Sequence, residues 1–142
     1  MLADSAQAIG GKLFLMGGGW AVIGPQPSPS ALAGIVQVAW DEANQNHTIS
    51  FELFNADGKP FMVPTPMGLQ AFKIEMQFQV GRPPGVAAGT EFNVPIAINL
   101  APLPLEPGQR YEWRVAIDGQ QFPELRLAFS TRIAGAAGAP PG

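Results

Sequence analysis

Leu103-Pro-Leu-Glu-Pro-Gly-Gln-Arg-Tyr-Glu-Trp-Arg-Val-Ala-Ile-Asp-Gly119 reads as a turn, a strand and a second turn in one stretch. Pro107 presets its φ and Gly108 accepts a positive one, so the pair turns the chain. Beyond it, Tyr111, Trp113, Val115 and Ile117 alternate with Glu112, Arg114, Ala116 and Asp118. A period of two puts the first set on one face of a strand and the second on the other, the pattern of a sheet with one dry and one wet side. The stretch specifies architecture and carries no chemistry.

The same period recurs through the chain. Phe72, Ile74, Met76, Phe78 and Val80 alternate with Lys73, Glu75, Gln77 and Gln79, and His47, Ile49, Phe51 and Leu53 alternate with Thr48, Ser50 and Glu52. Phe92, Val94, Ile96, Ile98 and Leu100 repeat it, but Pro95 lacks an N–H and predicts an edge strand. Asp57-Gly58 and Asp118-Gly119 sit where a hairpin needs positive φ angles. Nearer the start, Gly10-Gly11 turns a strand over Leu2 to Ala8 into one over Lys12 to Met16, and Gly17-Gly18-Gly19 provides a bulge or sharp bend before Trp20 to Ile23. Gly24 to Ser30 and Gly81 to Gly89 are loops rich in Pro, Ser or Gly. Ile35, Val36, Val38 and Trp40 mark a strand, Asp41 to Asn46 a connection with room for one helical turn, and Leu125 to Arg132 the last strand. Ala134 to Gly142 contains only Ala, Gly and Pro and reads as a flexible tail.

About eight or nine short strands with almost no helical period define an all-β chain, and the expected form is a single-domain antiparallel β-sandwich over residues 1–133, with an open barrel as the alternative. Leu105, Pro107, Gly108 and Tyr111 resemble the corner before the penultimate strand of fibronectin type III and immunoglobulin-like sandwiches. That resemblance implies that the Tyr111 hydroxyl bonds the backbone upstream while Trp113 fills the core. Taken whole, the chain resembles a family of small uncharacterised bacterial proteins. The resemblance is carried by Met1 to Asp4, the Gly-Lys-Leu to Gly-Gly-Gly-Trp run over Gly11 to Trp20, Val80 to Gly85, and Tyr111 to Gly119. It implies one domain and assigns no activity.

Composition narrows the function classes. The 142 residues include only 13% charged side chains, against about a quarter in an average globular domain, and 46% hydrophobic ones. With a net charge of -3 there is no basic field for nucleic acid or an anionic membrane, so neither is an expected partner. A weakly charged exterior points instead to self-association or a protein partner. The absence of cysteine removes disulfides and thiolate chemistry, and no stretch has the length of a signal peptide's apolar region or a membrane span. The expected setting is cytoplasmic.

Chemistry-bearing residues are few. His47 is the only histidine, near Asp41, Glu42 and Asn46, and its bland role is to cap a strand or pack at a sheet rim. No nucleophile motif accompanies it, no ligand spacing suggests a metal, and no cofactor is expected. Gly17 to Gly19 lacks the lysine and helix of a phosphate cradle and reads as a bend. In the second loop Arg82 is held by Pro83-Pro84 as a preorganised donor for a carboxylate or a carbonyl, or else pairs with a nearby acid. Trp20 reads as a core anchor or a ligand platform, and Trp40 and Trp113 as core. Glu112, Arg114 and Arg126 should share the wet face of the last hairpin. The leading functional expectation is a non-enzymatic interaction or assembly module. A small-ligand or carbohydrate-binding sandwich using the Gly24 to Ser30 loop, the Gly81 to Gly89 loop and an exposed aromatic is the alternative, a hydrolase using His47 is third, and the candidate binding residues are Trp20, His47, Arg82, Pro83 and Pro84.

Overall fold

The computed structural model describes residues 1–133, and residues 134–142, where the tail was expected, lie outside that range. In chain order the strands are β1 (Leu2–Ala3), β2 (Ser5–Ile9), β3 (Lys12–Met16), β4 (Val22–Ile23), β5 (Ser30–Val38), β6 (Asn46–Asn55), β7 (Met62–Thr65), β8 (Gly68–Ala71), β9 (Lys73–Gln79), β10 (Phe92–Leu100), β11 (Arg110–Ile117), β12 (Gln120–Gln121) and β13 (Leu127–Thr131). The fold is all-β. Short 3-10 turns occur at Trp40–Glu42 and Pro123–Leu125.

β11 realises the alternation around Trp113. Tyr111, Trp113 and Val115 are buried, and the strand lies between β6 and β13, with Trp113 opposite both Leu53 and Leu127. This places β11 at the centre of a six-stranded sheet ordered β4-β13-β11-β6-β9, with β12 also pairing β11. A second sheet, β1-β5-β10, faces it. Leu2, Leu32 and Ile96 from the smaller sheet join Phe51, Leu53, Trp113 and Phe129 from the larger in one apolar core. The Glu106 N–H donates to the Tyr111 hydroxyl at 2.9 Å, five residues upstream of the ring.

The expected single antiparallel sandwich is an incomplete description. The strands form four sheets, and β4 runs parallel to β13, with Val22 beside Ser130 and Ile23 beside Thr131. Two hairpins stand outside the facing sheets: β2–β3, and β7–β8, whose short strands carry no alternation to announce them. The strand expected over Leu2 to Ala8 breaks at Asp4, because Leu2 and Ala3 pair β5 whereas Ser5 to Ile9 pair β3. At Gly17 (φ +61°) a side chain would collide with the Asp4 carboxylate, so the bend requires glycine there. That carboxylate also gives the Gly17–Gly19 loop the wrong charge for holding phosphate.

Two hydrophobic placements differ from expectation. The β5 strand stops at Val38, which leaves Trp40 in the following 3-10 turn, half-buried and outside the core. Leu125 belongs to a 3-10 turn begun by Pro123, and the last strand starts at Leu127. Pro95 lies on β10, an edge strand paired only with β5, as its missing N–H requires.

Candidate functional site

The β2–β3 ribbon is made of residues with little intrinsic reason to face water. Its register pairs Ala6 with Leu15 and Ala8 with Leu13 on one face, and Gln7 with Phe14 and Ile9 with Lys12 on the other. The first face lies on the outer surface of the smaller sheet, where Ala3, Ala31, Ala33 and Ala97 let the two layers approach closely. The Asn99 side chain clamps the ribbon in place, accepting from Ala6 N–H at 3.1 Å and donating to Ala6 O at 2.8 Å. Among the described residues nothing covers the second face: Ile9, Phe14 and Met16 are 57%, 53% and 71% exposed. Among the described residues, the outer edge of β3 pairs with no strand. Exposed Phe14 and Met16 on β3 and Ile9 on β2, interleaved with Gln7 and Lys12 and bordered by an open strand edge, give a surface suited to docking.

The sequence-predicted site residues do not form one site: His47 and Arg82 each bond the Trp40–Glu42 turn, whereas Trp20 packs on Phe129. His47 is buried, with its ring tilted against Phe78. Its Nδ1 lies 2.8 Å from Asp118 Oδ2 and its Nε2 lies 2.8 Å from Glu42 O. Both partners are acceptors, so the ring satisfies them best as the doubly protonated imidazolium. The Asp118 hydrogen bond is the main reason its pKa is raised, and the Glu42 carbonyl adds to it. Reciprocally, the bond to His47 and the Thr48 N–H at 2.9 Å lower the pKa of Asp118. The carboxylate orienting His47 therefore comes from the distant Asp118-Gly119 turn, and Glu42 contributes its backbone. Asp118 was legible as a turn residue but not as this partner, since 71 residues separate it from His47. The trio clasps β6 to the β11–β12 turn and leaves neither ring nitrogen free for acid–base work.

Arg82 donates from Nε and Nη2 to Trp40 O, and its guanidinium lies 4.4 Å from the centre of the Trp40 ring. It serves a carbonyl and a ring within the chain, with Pro83 and Pro84 following it in the loop. Trp40 also stacks with Phe92, and Trp20 meets Phe129 edge-on. Trp20 Nε1 is buried without a protein partner beside a space of about 20 Å³ under the Gly24–Ser30 loop. That volume fits one water and excludes a sugar ring. On the wet face, Arg114 Nε donates to Glu112 Oε2 at 2.9 Å, and Arg126 approaches the same carboxylate at 4.0 Å.

Comparison with protein families finds a match over residues 1–130 to a family of unknown function (DUF6941). The chain belongs to that family. No curated protein matches the chain. No solved structure matches it either. Membership of DUF6941 brings no assigned residue roles, so the functional reading of this member rests on its own geometry. Among the described residues there is no group of His, Asp and Glu able to hold a metal ion, and no helix is long and apolar enough to cross a membrane.

Proposed function

We propose that this DUF6941 member is a non-enzymatic assembly module that self-associates through the β2–β3 ribbon. The observation that carries the reading is the uncovered face of Ile9, Phe14 and Met16 beside the open β3 edge. Antiparallel pairing of two β3 strands about a two-fold axis at Phe14 puts Phe14 opposite Phe14, Leu13 opposite Leu15, and Lys12 opposite Met16. Like charges never meet, and the exposed Phe14 side chains of the two ribbons lie side by side. The facing sheets and the Tyr111 bond to Glu106 support reading the core as an elaborated immunoglobulin-like sandwich. A chain without cysteine is compatible with a reducing, cytoplasmic setting.

The carbohydrate-binding alternative would need an open aromatic platform. Trp113 is buried, Trp40 lies under Arg82, and Trp20 packs on Phe129. Size-exclusion chromatography with light scattering at micromolar concentration tests the assembly reading. The wild-type chain is expected to run as a dimer and Phe14→Glu as a monomer, because the two-fold pairing would set two carboxylates face to face. A wild-type chain that stays monomeric at high micromolar concentration overturns it.

A further inference from the structure

β5 is paired along its whole length on one side and along only part of it on the other. β10 accompanies it from Ser30 to Val38, whereas β1 meets Ala31 and Leu32, and Met1 exchanges hydrogen bonds with Ala33. Backbone groups of an antiparallel strand alternate in direction. Those of Ile35 and Gln37 therefore point to the same side as those of Ala33, where no strand stands among the described residues. The Ile35 side chain is 58% exposed on the outer face of this edge.

Directly inside the edge lies an apolar cleft of about 350 Å³ between the two sheets, lined by Val36, Phe51, Ile96, Val115, Ile117 and Leu127 among others. Several of these residues belong to the main core, so the cleft opens that core to solvent where the smaller sheet ends. Gly34 leaves the space open from above, since a side chain there would meet no atom within 4 Å. Glu124 borders the cleft and has no ion-pair partner among the described residues. An open strand edge, an apolar slot and one unpaired acid thus coincide, away from the outward ribbon face.

We infer that this is a strand-acceptor site. An extended segment of a partner polypeptide lies antiparallel to β5 in line with β1 and exchanges backbone hydrogen bonds with Ile35 and Gln37. It sends apolar side chains into the cleft opposite Gly34 and Val36 and presents a Lys or Arg to Glu124. Backbone complementarity decides for a peptide, because a lipid chain or small apolar molecule fills the slot but leaves the Ile35 and Gln37 groups without partners. The charge of Glu124 decides for a basic residue in that segment. A second copy is told apart from such a segment by the concentration dependence tested below, and its β3 has the Leu13 side already packed on its own small sheet.

The test uses the intact protein and a displayed library of heptapeptides with Val, Ile or Leu at alternate positions. Peptides selected from it and then synthesised are expected to slow amide exchange at Ile35 and Gln37 roughly tenfold or more, while Gly34 and Val36, bonded to β10, change little. Gly34→Leu, which fills the slot, should abolish selection. Ile35→Pro, which removes one edge donor and leaves the slot open, should weaken binding roughly tenfold. The exchange measurement on the wild-type chain stands even if Gly34→Leu fails to fold. The inference is overturned if no peptide is selected, if selected peptides leave both amides exchanging, or if dodecanoate binds the cleft where peptides do not. Protection of Ile35 and Gln37 that rises with protein concentration alone also overturns it, since a second copy would then be the occupant.

Discussion

β11 and β3 are both short strands rich in apolar side chains, and they end in opposite environments. β11 has β6 on one edge, β13 on the other and a second sheet across its Trp113 face, so Tyr111, Trp113 and Val115 are buried. Among the described residues β3 has only β2 beside it, and the face bearing Phe14 and Met16 has no layer across it. Apolar content thus becomes burial only where neighbouring elements lay another layer over the face. Where they do not, the same residues become a surface with something to bind.

The contrast can be broken most forcefully at Trp113. Trp113→Ala should lower unfolding free energy by about 3–5 kcal/mol, because it removes the largest fully buried side chain and leaves a cavity the core cannot close. Urea denaturation of the monomeric Phe14→Glu background gives the number free of any dimer contribution.

An intermediate effect is expected at the clasp. Its His47 has a raised pKa, so its contribution is complete below about pH 6.5 and fades as pH rises through the folded-state value. Asp118 has a lowered pKa, so its contribution is present above about pH 3.8 and fades on further acidification. Thermal stability should therefore peak between about pH 4 and pH 6.5. Asp118→Asn should flatten that peak and cost only about 0.5–1 kcal/mol at pH 6, because half-exposure of the carboxylate leaves the pair screened by solvent. The His47 ring proton, followed by NMR, should titrate above 6.5 in the wild type and fall back in the variant. A wild-type profile flat across neutral pH would remove the clasp from the stability account.

The smallest effect belongs to the ribbon. Phe14→Ala should change monomer stability by about 0.5 kcal/mol or less while weakening association, as befits an exposed side chain. A loss comparable to that at Trp113 would show that the ribbon is part of the folding core and erase the difference between the two regions.

The inward rows Tyr111-Trp113-Val115 and Ile49-Phe51-Leu53, the hairpin at Asp118-Gly119 and the edge position of Pro95 were legible because each follows from a local rule. Those rules are the two-residue period, the positive φ of a tight turn, and a missing N–H. The β7–β8 hairpin escaped because Met62-Val-Pro-Thr65 and Gly68-Leu-Gln-Ala71 are short and carry no clean alternation. The clasp escaped because no spacing rule links His47 to an acid 71 residues away.

By itself, then, the amino-acid sequence determined an all-β chain, its principal strands and turns, and the inward rows of its core, since these depend on interactions among near neighbours. Only the tertiary structure decided how the described strands divide into four sheets, that β4 runs parallel to β13, and that no other described residue covers the β5 edge or the Phe14 face. Those outcomes depend on which distant strands compete for each edge and face, and that competition is settled only when the whole chain packs.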